Sequence, residues 1–216
     1  MKNLKTFFAH KIFKVLKWVV LILVLSFIIL TIVRAFHYVK VEKVEEQVLK
    51  IHSTKLEIRD VTGENLPPDP GLEADKTIEG IDANTNGIRD DVEIAIFKEY
   101  PQSAKTRAVL LQYALALQME TTQPFVNEEV VTKVAIEQGR ADTCLSDTVS
   151  PRKTPESSRN DNDIEKISEF ISFVEEKQLN TESRKDARNN FYKNLRSYGE
   201  STNNIVCDID LSKLPN

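Results

Sequence analysis

The sequence predicts a mainly α-helical protein, in which an N-terminal transmembrane helix is followed by a small antiparallel helical bundle. Three observations predict this fold class. Residues 18–33 form an apolar run with only Ser26 and Thr31 as mild polar interruptions. Further along, apolar residues recur three and four positions apart, as they do on one face of a helix. Stretches rich in proline, glycine or polar residues separate these periodic segments and indicate where the helices end.

The apolar run predicts a membrane anchor. As a helix, residues 18–33 rise about 24 Å at ~1.5 Å per residue, which nearly spans a bilayer core of about 30 Å. We therefore predict a transmembrane signal anchor at residues 18–35. A cleaved signal peptide is the alternative, but the residues that follow the run are bulky and charged and offer no small-residue cleavage site.

The distribution of charge predicts the topology. Residues 1–34 contain six basic and no acidic residues, whereas the remainder contains 23 basic and 33 acidic residues. The positive-inside rule places residues 1–17 in the cytoplasm and the acidic remainder outside it. We expect a single-pass inner (plasma) membrane protein with a periplasmic or otherwise extracytoplasmic domain. An acidic domain repels phosphate backbones, so we expect no nucleic-acid partner.

Residues 36–62 are predicted to continue from the membrane as a juxtamembrane helix and a short extended segment. The helix has an apolar stripe of four residues spaced by three and four, namely Val41, Val44, Val48 and Ile51. Within residues 37–52 this stripe is a candidate seam for a homodimer or another protein partner, or it packs on its own domain. A proline-rich linker at residues 63–79 then leads to the helical domain, residues 80–216.

Five helices are predicted in that domain, from N-caps, proline and glycine punctuation and apolar periodicity. They cover residues 91–100, 104–122, 124–144, 163–177 and 181–198. A polar segment at residues 146–162 is expected to be a mobile loop. The basic residues Arg184, Lys185 and Arg188 are interpreted as a solvated helix face, with a patch for an anionic partner as the alternative.

The two cysteines predict one disulfide. Cys144 and Cys207 both lie beyond the anchor, and two cysteines in an oxidising compartment tend to pair. The alternative is two buried, unpaired thiols.

Residues 82–93 carry the pattern with the most specific chemistry. Oxygen-bearing side chains stand at alternate positions, Asp82, Asn84 and Asn86, and Gly87 follows them. Asp90 and Glu93 occupy the ninth and twelfth positions, and the carbonyl of Ile88 is a further candidate ligand. The spacing matches an oxygen-rich loop around Ca²⁺, which takes 6–8 oxygen ligands.

This stretch resembles EF-hand-like calcium loops, and it looks most like the thrombospondin type 3 variant. Two departures from the EF-hand favour the variant: the apolar residue is Ile88 at position 7, where position 8 is usual, and Gly80 argues against an incoming helix. The resemblance covers only residues 80–93, and no family is recognised for the other parts of the chain. It implies Ca²⁺ as the cofactor.

The alternative to a calcium loop is an ordinary turn followed by a helix cap, since Asn and Gly build turns and Asp90 or Asp91 can cap a helix. A turn, however, does not require oxygen side chains at five fixed positions. With only three carboxylates, the loop is expected to bind Ca²⁺ modestly, as extracellular modules do.

No local catalytic motif is present, and the three histidines lie at or before residue 52. We therefore predict a non-enzymatic, membrane-anchored extracytoplasmic calcium-binding protein with a structural or protein-interaction role. The alternative is a membrane-anchored enzyme or enzyme inhibitor whose site is assembled from distant parts of the helical domain.

Overall fold

A computed structural model describes residues 2–154, 157–196 and 205–215, with side chains from Lys14 onward except that of Val15. The chain divides into two compact units, residues 1–46 and 47–216. The described residues are mainly helical and contain no strand, in agreement with the predicted fold class.

The described part of the first unit is helical throughout. Helix α1 spans Lys2–Ser53, and its last residues, from Gln47, belong to the second unit. The side chains of residues 16–33 are all exposed. The part Leu16–Ser53 is long and apolar enough to cross a membrane, which confirms the predicted N-terminal apolar helix.

The second unit contains six further α-helices in its described part. They are α2 (Ile58–Thr62), α3 (Asp90–Glu99), α4 (Ala104–Thr122), α5 (Glu128–Val149), α6 (Asp161–Gln178) and α7 (Glu182–Tyr192). Two short 3-10 helices cover Gly71–Asp75 and Leu211–Lys213.

Helix α4 is the centre of this unit, because α2, α3, α5, α6 and α7 all contact it. Fifteen of its 19 residues are buried, including apolar residues on every side of the helix and the polar Arg107, Gln112, Gln118 and Glu120. The N-terminus of α4 is capped by Ser103, whose hydroxyl accepts a hydrogen bond from the amide of Thr106.

The C-terminal end of α1 is part of this core. The side-chain amide of Gln47 donates to Gln123 at 2.7 Å and to the carbonyl of Phe125 at 3.1 Å, and Ile51 is buried. At Ile51 the predicted apolar stripe therefore packs within its own domain, whereas Val41 is exposed. A homodimer through residues 37–52 stays a prediction.

The predicted short extended segment is wrong. Residues Ile58–Thr62 form α2, because the Asp60 carboxylate accepts a hydrogen bond from the amide of Glu57 and starts a helical turn. Gly63 then ends the helix with a positive φ of 91°. The alternation of apolar and polar residues over so short a segment does not distinguish a strand from a short helix with one buried face.

Four helix boundaries differ clearly from the prediction. Helix α5 begins at Glu128 instead of Pro124, because the Asn127 side chain caps it by accepting from the amide of Val130. Helix α6 begins two residues early, capped by Asn160, and Asp163 completes the capping box from the third helical position. Helix α5 continues to Val149, so the first part of the predicted loop at residues 146–162 is helical. The last predicted helix, α7, ends at Tyr192, so the prediction of a helix to residue 198 is wrong: residues 193–196 form a turn and irregular backbone.

Candidate functional site

The candidate site is the loop at residues 82–89 together with the first turn of α3. Its two ends are joined by the amide of Asp90, which donates to the Ile81 carbonyl at 2.9 Å. The Asp90 carboxylate accepts from the amide of Ala83 at 3.0 Å. These two hydrogen bonds close the loop, so its first residues lie next to the first turn of α3.

Alternate side chains of the loop turn their oxygens toward the same short piece of backbone. Asp82 accepts hydrogen bonds from the amides of Asn86 at 3.1 Å and Gly87 at 2.9 Å. The Oδ1 atom of Asn84 accepts from the amide of Asn86, and Oδ1 of Asn86 accepts from that of Ile88. The loop therefore wraps around the oxygens of its first, third and fifth residues.

Positive φ angles make this tight wrapping possible. Gly87 has φ 88° and Thr85 has φ 59°. A β-branched residue such as threonine rarely adopts this region, and such strain is concentrated at functional sites. A Cβ atom at Gly87 would lie 2.8 Å from Cδ1 of Leu115 and 3.2 Å from Cγ2 of Thr54, so only glycine fits here.

Replacing Gly87 with alanine is expected to destabilise the domain by about 2 kcal/mol, from the strained φ and the overlap with Leu115. Urea unfolding measures the change. The matched control is Gly139→Ala in α5, where no atom lies within 4 Å of the added Cβ. That control is expected to stabilise by up to about 1 kcal/mol. A Gly87→Ala protein as stable as the wild type would contradict this account of the turn.

Glu93 lies at the centre of the site and is fully buried. Its carboxylate accepts hydrogen bonds from the side-chain amides of Asn86 at 2.7 Å and Asn84 at 3.1 Å. Burial raises the pKa of Glu93 to about 8, and the two amide hydrogen bonds only partly oppose this rise. In the described part of the chain no cationic side chain pairs with Glu93, so a buried carboxylate is left with neutral donors alone.

Asp90 adds a second poorly satisfied carboxylate beside it. The side chain is buried, and its Oδ2 atom has no hydrogen-bond partner among the described residues. Burial raises the pKa of Asp90, and the hydrogen bond from the amide of Ala83 opposes the rise. A buried oxygen without a partner costs on the order of 1–3 kcal/mol unless something else satisfies it.

The structure thus brings the side chains of Asn84, Asn86 and Glu93 into direct contact. Asp82 accepts from backbone amides of the same loop, and Asp90 joins the two ends of the loop. Ile88 is fully buried next to them. The residues that the structure describes contain no group of three or more His, Cys, Asp or Glu side chains arranged to hold a metal. In this loop, the side chains that contact Glu93 are the amides of Asn84 and Asn86. A carboxylate cluster would require aspartates at these two positions.

Two buried arginines behind the loop were not predicted. Arg89, within the loop, donates from Nη1 to the carbonyl of Gln178 at 3.0 Å, at the end of α6. It also forms two hydrogen bonds with Asp91. Gly80, with φ 68°, leaves room for it, because a Cβ there would lie 2.9 Å from Cδ of Arg89.

Arg184 of α7 is the second buried arginine, so the interpretation of this residue as part of a solvated face is wrong. Its guanidinium donates to the carbonyls of Ala74, Thr77 and Ile78 and to the Asp75 carboxylate at 2.7 Å. Asp75 also lies 3.9 Å from Arg89. We call Arg89, Arg184 and Asp75, with the carbonyls that they bind, the arginine clamp. The only sequence signal for it was an arginine at a loop position that is usually apolar.

Acidic residues also converge away from the loop, between α4, α5, α6 and α7. Arg188 donates to Glu120 and to Glu175, each at 2.8 Å, and the Tyr192 hydroxyl donates to Glu120 at 2.7 Å. Burial, and next the charge of Glu175, raises the pKa of Asp142 to about 6. Since Arg188 is engaged by both glutamates, we interpret this group as an ion-pair network that joins the helices.

Asp142 is expected to make this network sensitive to pH. A carboxyl whose folded pKa lies above its unfolded value stabilises the fold at low pH, and the contribution is lost as pH rises from about 4 to 6. Asp142→Asn should therefore stabilise the domain by about 1 kcal/mol at pH 7.5, allowing for partial exposure, and change little at pH 4. Urea unfolding at both pH values measures this, with the exposed Asp186→Asn as control. Equal effects at the two pH values would contradict the assignment.

The predicted disulfide is present and fixes the C-terminal segment. Cys144 of α5 is bonded to Cys207, with the two Cα atoms 5.1 Å apart. Gln112 of α4 holds the same segment through the Val206 carbonyl at 3.0 Å and the Asp208 amide at 2.9 Å. Residues 205–215 are thereby tied to the core.

A cavity of about 500 Å³ lies beside this C-terminal segment, with Ile136 and Ile205 in its apolar wall. Its charged groups are already paired. Glu137 binds Lys55 and Arg140, each at 2.5 Å, and Arg140 also binds Asp208 at 2.9 Å. We therefore regard the cavity as a structural feature of the tail attachment.

Comparison with known proteins adds no relative: no family model matches the chain, and no curated protein or solved structure was found to be similar to it.

Proposed function

We propose that this chain is a membrane-anchored, extracytoplasmic calcium-binding protein whose loop at residues 82–93 holds one Ca²⁺ ion. The observation that carries the proposal is the environment of Glu93. Among the described residues, this fully buried carboxylate has only two neutral amide donors and lies next to the unpartnered Oδ2 of Asp90. Without a cation, Glu93 must either stay charged or take up a proton, and both are costly.

The ligands would be oxygens of Asp82, Asn84, Asn86, Ile88, Asp90 and Glu93. Hard oxygen donors of this kind, without sulfur or imidazole, suit Ca²⁺ and disfavour zinc. Bound there, Ca²⁺ supplies positive charge to the two buried carboxylates. Asp91 is not among the ligands, because Arg89 engages both of its oxygens.

The anchor supports an extracytoplasmic location for this site. The apolar helix and its basic N-terminal flank favour a cytoplasmic N-terminus, so the loop would face a compartment with abundant calcium. A disulfide is also typical of such compartments. We infer a structural or protein-interaction role, in which Ca²⁺ fixes the turn that leads into α3.

Calorimetric titration of the detergent-solubilised full chain with CaCl₂ tests the proposal. We expect one ion per chain, with a dissociation constant of about 10⁻⁴–10⁻³ M, and no response to Mg²⁺ at the same concentration. Absence of heat and of any calcium-dependent change in melting temperature would refute calcium binding.

A further inference from the structure

The arginine clamp links the candidate calcium loop to the last helix of the domain. Arg89 is a residue of the loop itself, between Ile88 and Asp90. Its guanidinium is bound to the carbonyl of Gln178 at the end of α6 and lies 3.9 Å from Asp75. Asp75 in turn binds Arg184 of α7. A chain of polar contacts therefore leads from the loop to α7, in which the two arginines are buried and the linking carboxylate of Asp75 is exposed.

The segment that enters the loop is held by the same helix. Three carbonyls of residues 74–78 accept hydrogen bonds from Arg184, and the Glu79 carbonyl accepts from the side chain of Gln118 at 2.9 Å. Gln178 also binds Gln118. Contacts near both ends of the loop thus attach it to the corner between α6 and α7.

Helix α7 is held on the domain by few apolar contacts. Only two of its 11 residues are buried, Arg184 and Phe191. Arg188 and Tyr192 add polar contacts to Glu120, and Arg188 also binds Glu175. Elements with few buried apolar side chains open locally before the rest of a domain does. The polar contacts, those of Arg184 among them, are therefore an important part of what holds α7 on the core.

We propose that Ca²⁺ at the loop regulates the docking of α7 through the arginine clamp. The inference rests on the proposed calcium site. Without the ion, buried carboxylates destabilise the closed loop, and Arg89 and the entering segment lose their fixed positions. Arg184 then loses its carbonyl partners, and α7 opens and uncovers Glu120 on α4. The calcium-free protein would thus present a different, more acidic surface.

Hydrogen exchange of the full chain in detergent tests this directly. With 5 mM CaCl₂ instead of chelator, we expect amides of α7 to exchange about 10-fold more slowly. Amides in the first turns of α6, which do not contact the clamp, should change less than about 2-fold. If all helices slow by the same factor, calcium acts only on global stability and the inference is wrong.

Linkage provides the second test, because a coupling between two sites is reciprocal. Arg184→Gln should weaken calcium binding about 10-fold, whereas Lys185→Gln, on the adjacent exposed position, should change it less than about 2-fold. Arg184→Lys, which retains the charge but not the forked donors, should fall between them. Calcium binding that is unaffected by Arg184→Gln in a folded protein overturns the inference.

The two proposals fail in different ways. If calorimetry detects no calcium binding to the wild type, the proposed function is wrong and the regulation falls with it. If calcium binds but exchange in α7 is unchanged, the site stands and only the coupling is refuted. The exchange experiment uses the wild type, so it remains decisive even if an Arg184 variant does not fold.

Discussion

Replacing Cys207 with serine is expected to lower the free energy of unfolding by about 4 kcal/mol. The Cys144–Cys207 bond spans 63 residues, and the chain-entropy model assigns about 4 kcal/mol to a loop of this size. Small domains are stable by only about 5–15 kcal/mol, so the loss is a large fraction of the total. Urea unfolding of the oxidised wild type and of Cys207→Ser measures it.

Reductant provides the control for this prediction. It should bring the wild type to the stability of Cys207→Ser and leave a double variant, Cys144→Ser with Cys207→Ser, unchanged. We expect the C-terminal segment to become more sensitive to proteolysis as well, since it is then held by non-covalent contacts alone, such as those with Gln112, Lys55 and Arg140. Identical unfolding of oxidised wild type and variant would contradict the role given to the disulfide.

Glu93→Gln is expected to stabilise the domain in the absence of calcium but not in its presence. The substitution keeps the shape of the side chain and removes a charge from a fully buried position. In chelator, it should stabilise the domain by about 2 kcal/mol, because no buried carboxylate remains to be neutralised. In calcium, the advantage should disappear, because the affinity falls at least about 100-fold and the ion no longer stabilises the fold.

This dependence on calcium distinguishes a metal ligand from a purely structural residue. A glutamate that only anchors Asn84 and Asn86 would give the same change in both conditions. The matched control is Glu99→Gln, the same chemical change on the exposed end of the same helix. It should alter neither calcium affinity nor stability by more than about 0.5 kcal/mol.

Local signals were sufficient for much of the fold. The cap at Ser103 and the apolar periodicity after it predicted α4 with the boundaries that the structure has. The start of α5 was wrong because proline at position 124 and asparagine at 127 are both good helix starts, and only the contact of Asn127 with the Val130 amide decides between them.

The site was predictable where its chemistry is local and not where it depends on distant contacts. The alternating oxygens at 82, 84 and 86 and the glycine at 87 are a pattern in the sequence, and the structure shows them wrapped around one piece of backbone. The clamp joins residue 184 to residues 74–78, a separation of more than 100 positions. No periodicity reports such a pairing, and a charged residue on a polar helix is usually solvated.

A crystal structure of residues 47–216 grown with calcium would test the central claim most directly. The account predicts one ion coordinated at about 2.3–2.6 Å by oxygens of Asp82, Asn84, Asn86, Ile88, Asp90 and Glu93, with the two asparagine amide nitrogens turned away from the Glu93 carboxylate. Electron density showing those nitrogens still bonded to Glu93 at saturating calcium, with no ion between residues 82 and 93, would contradict it.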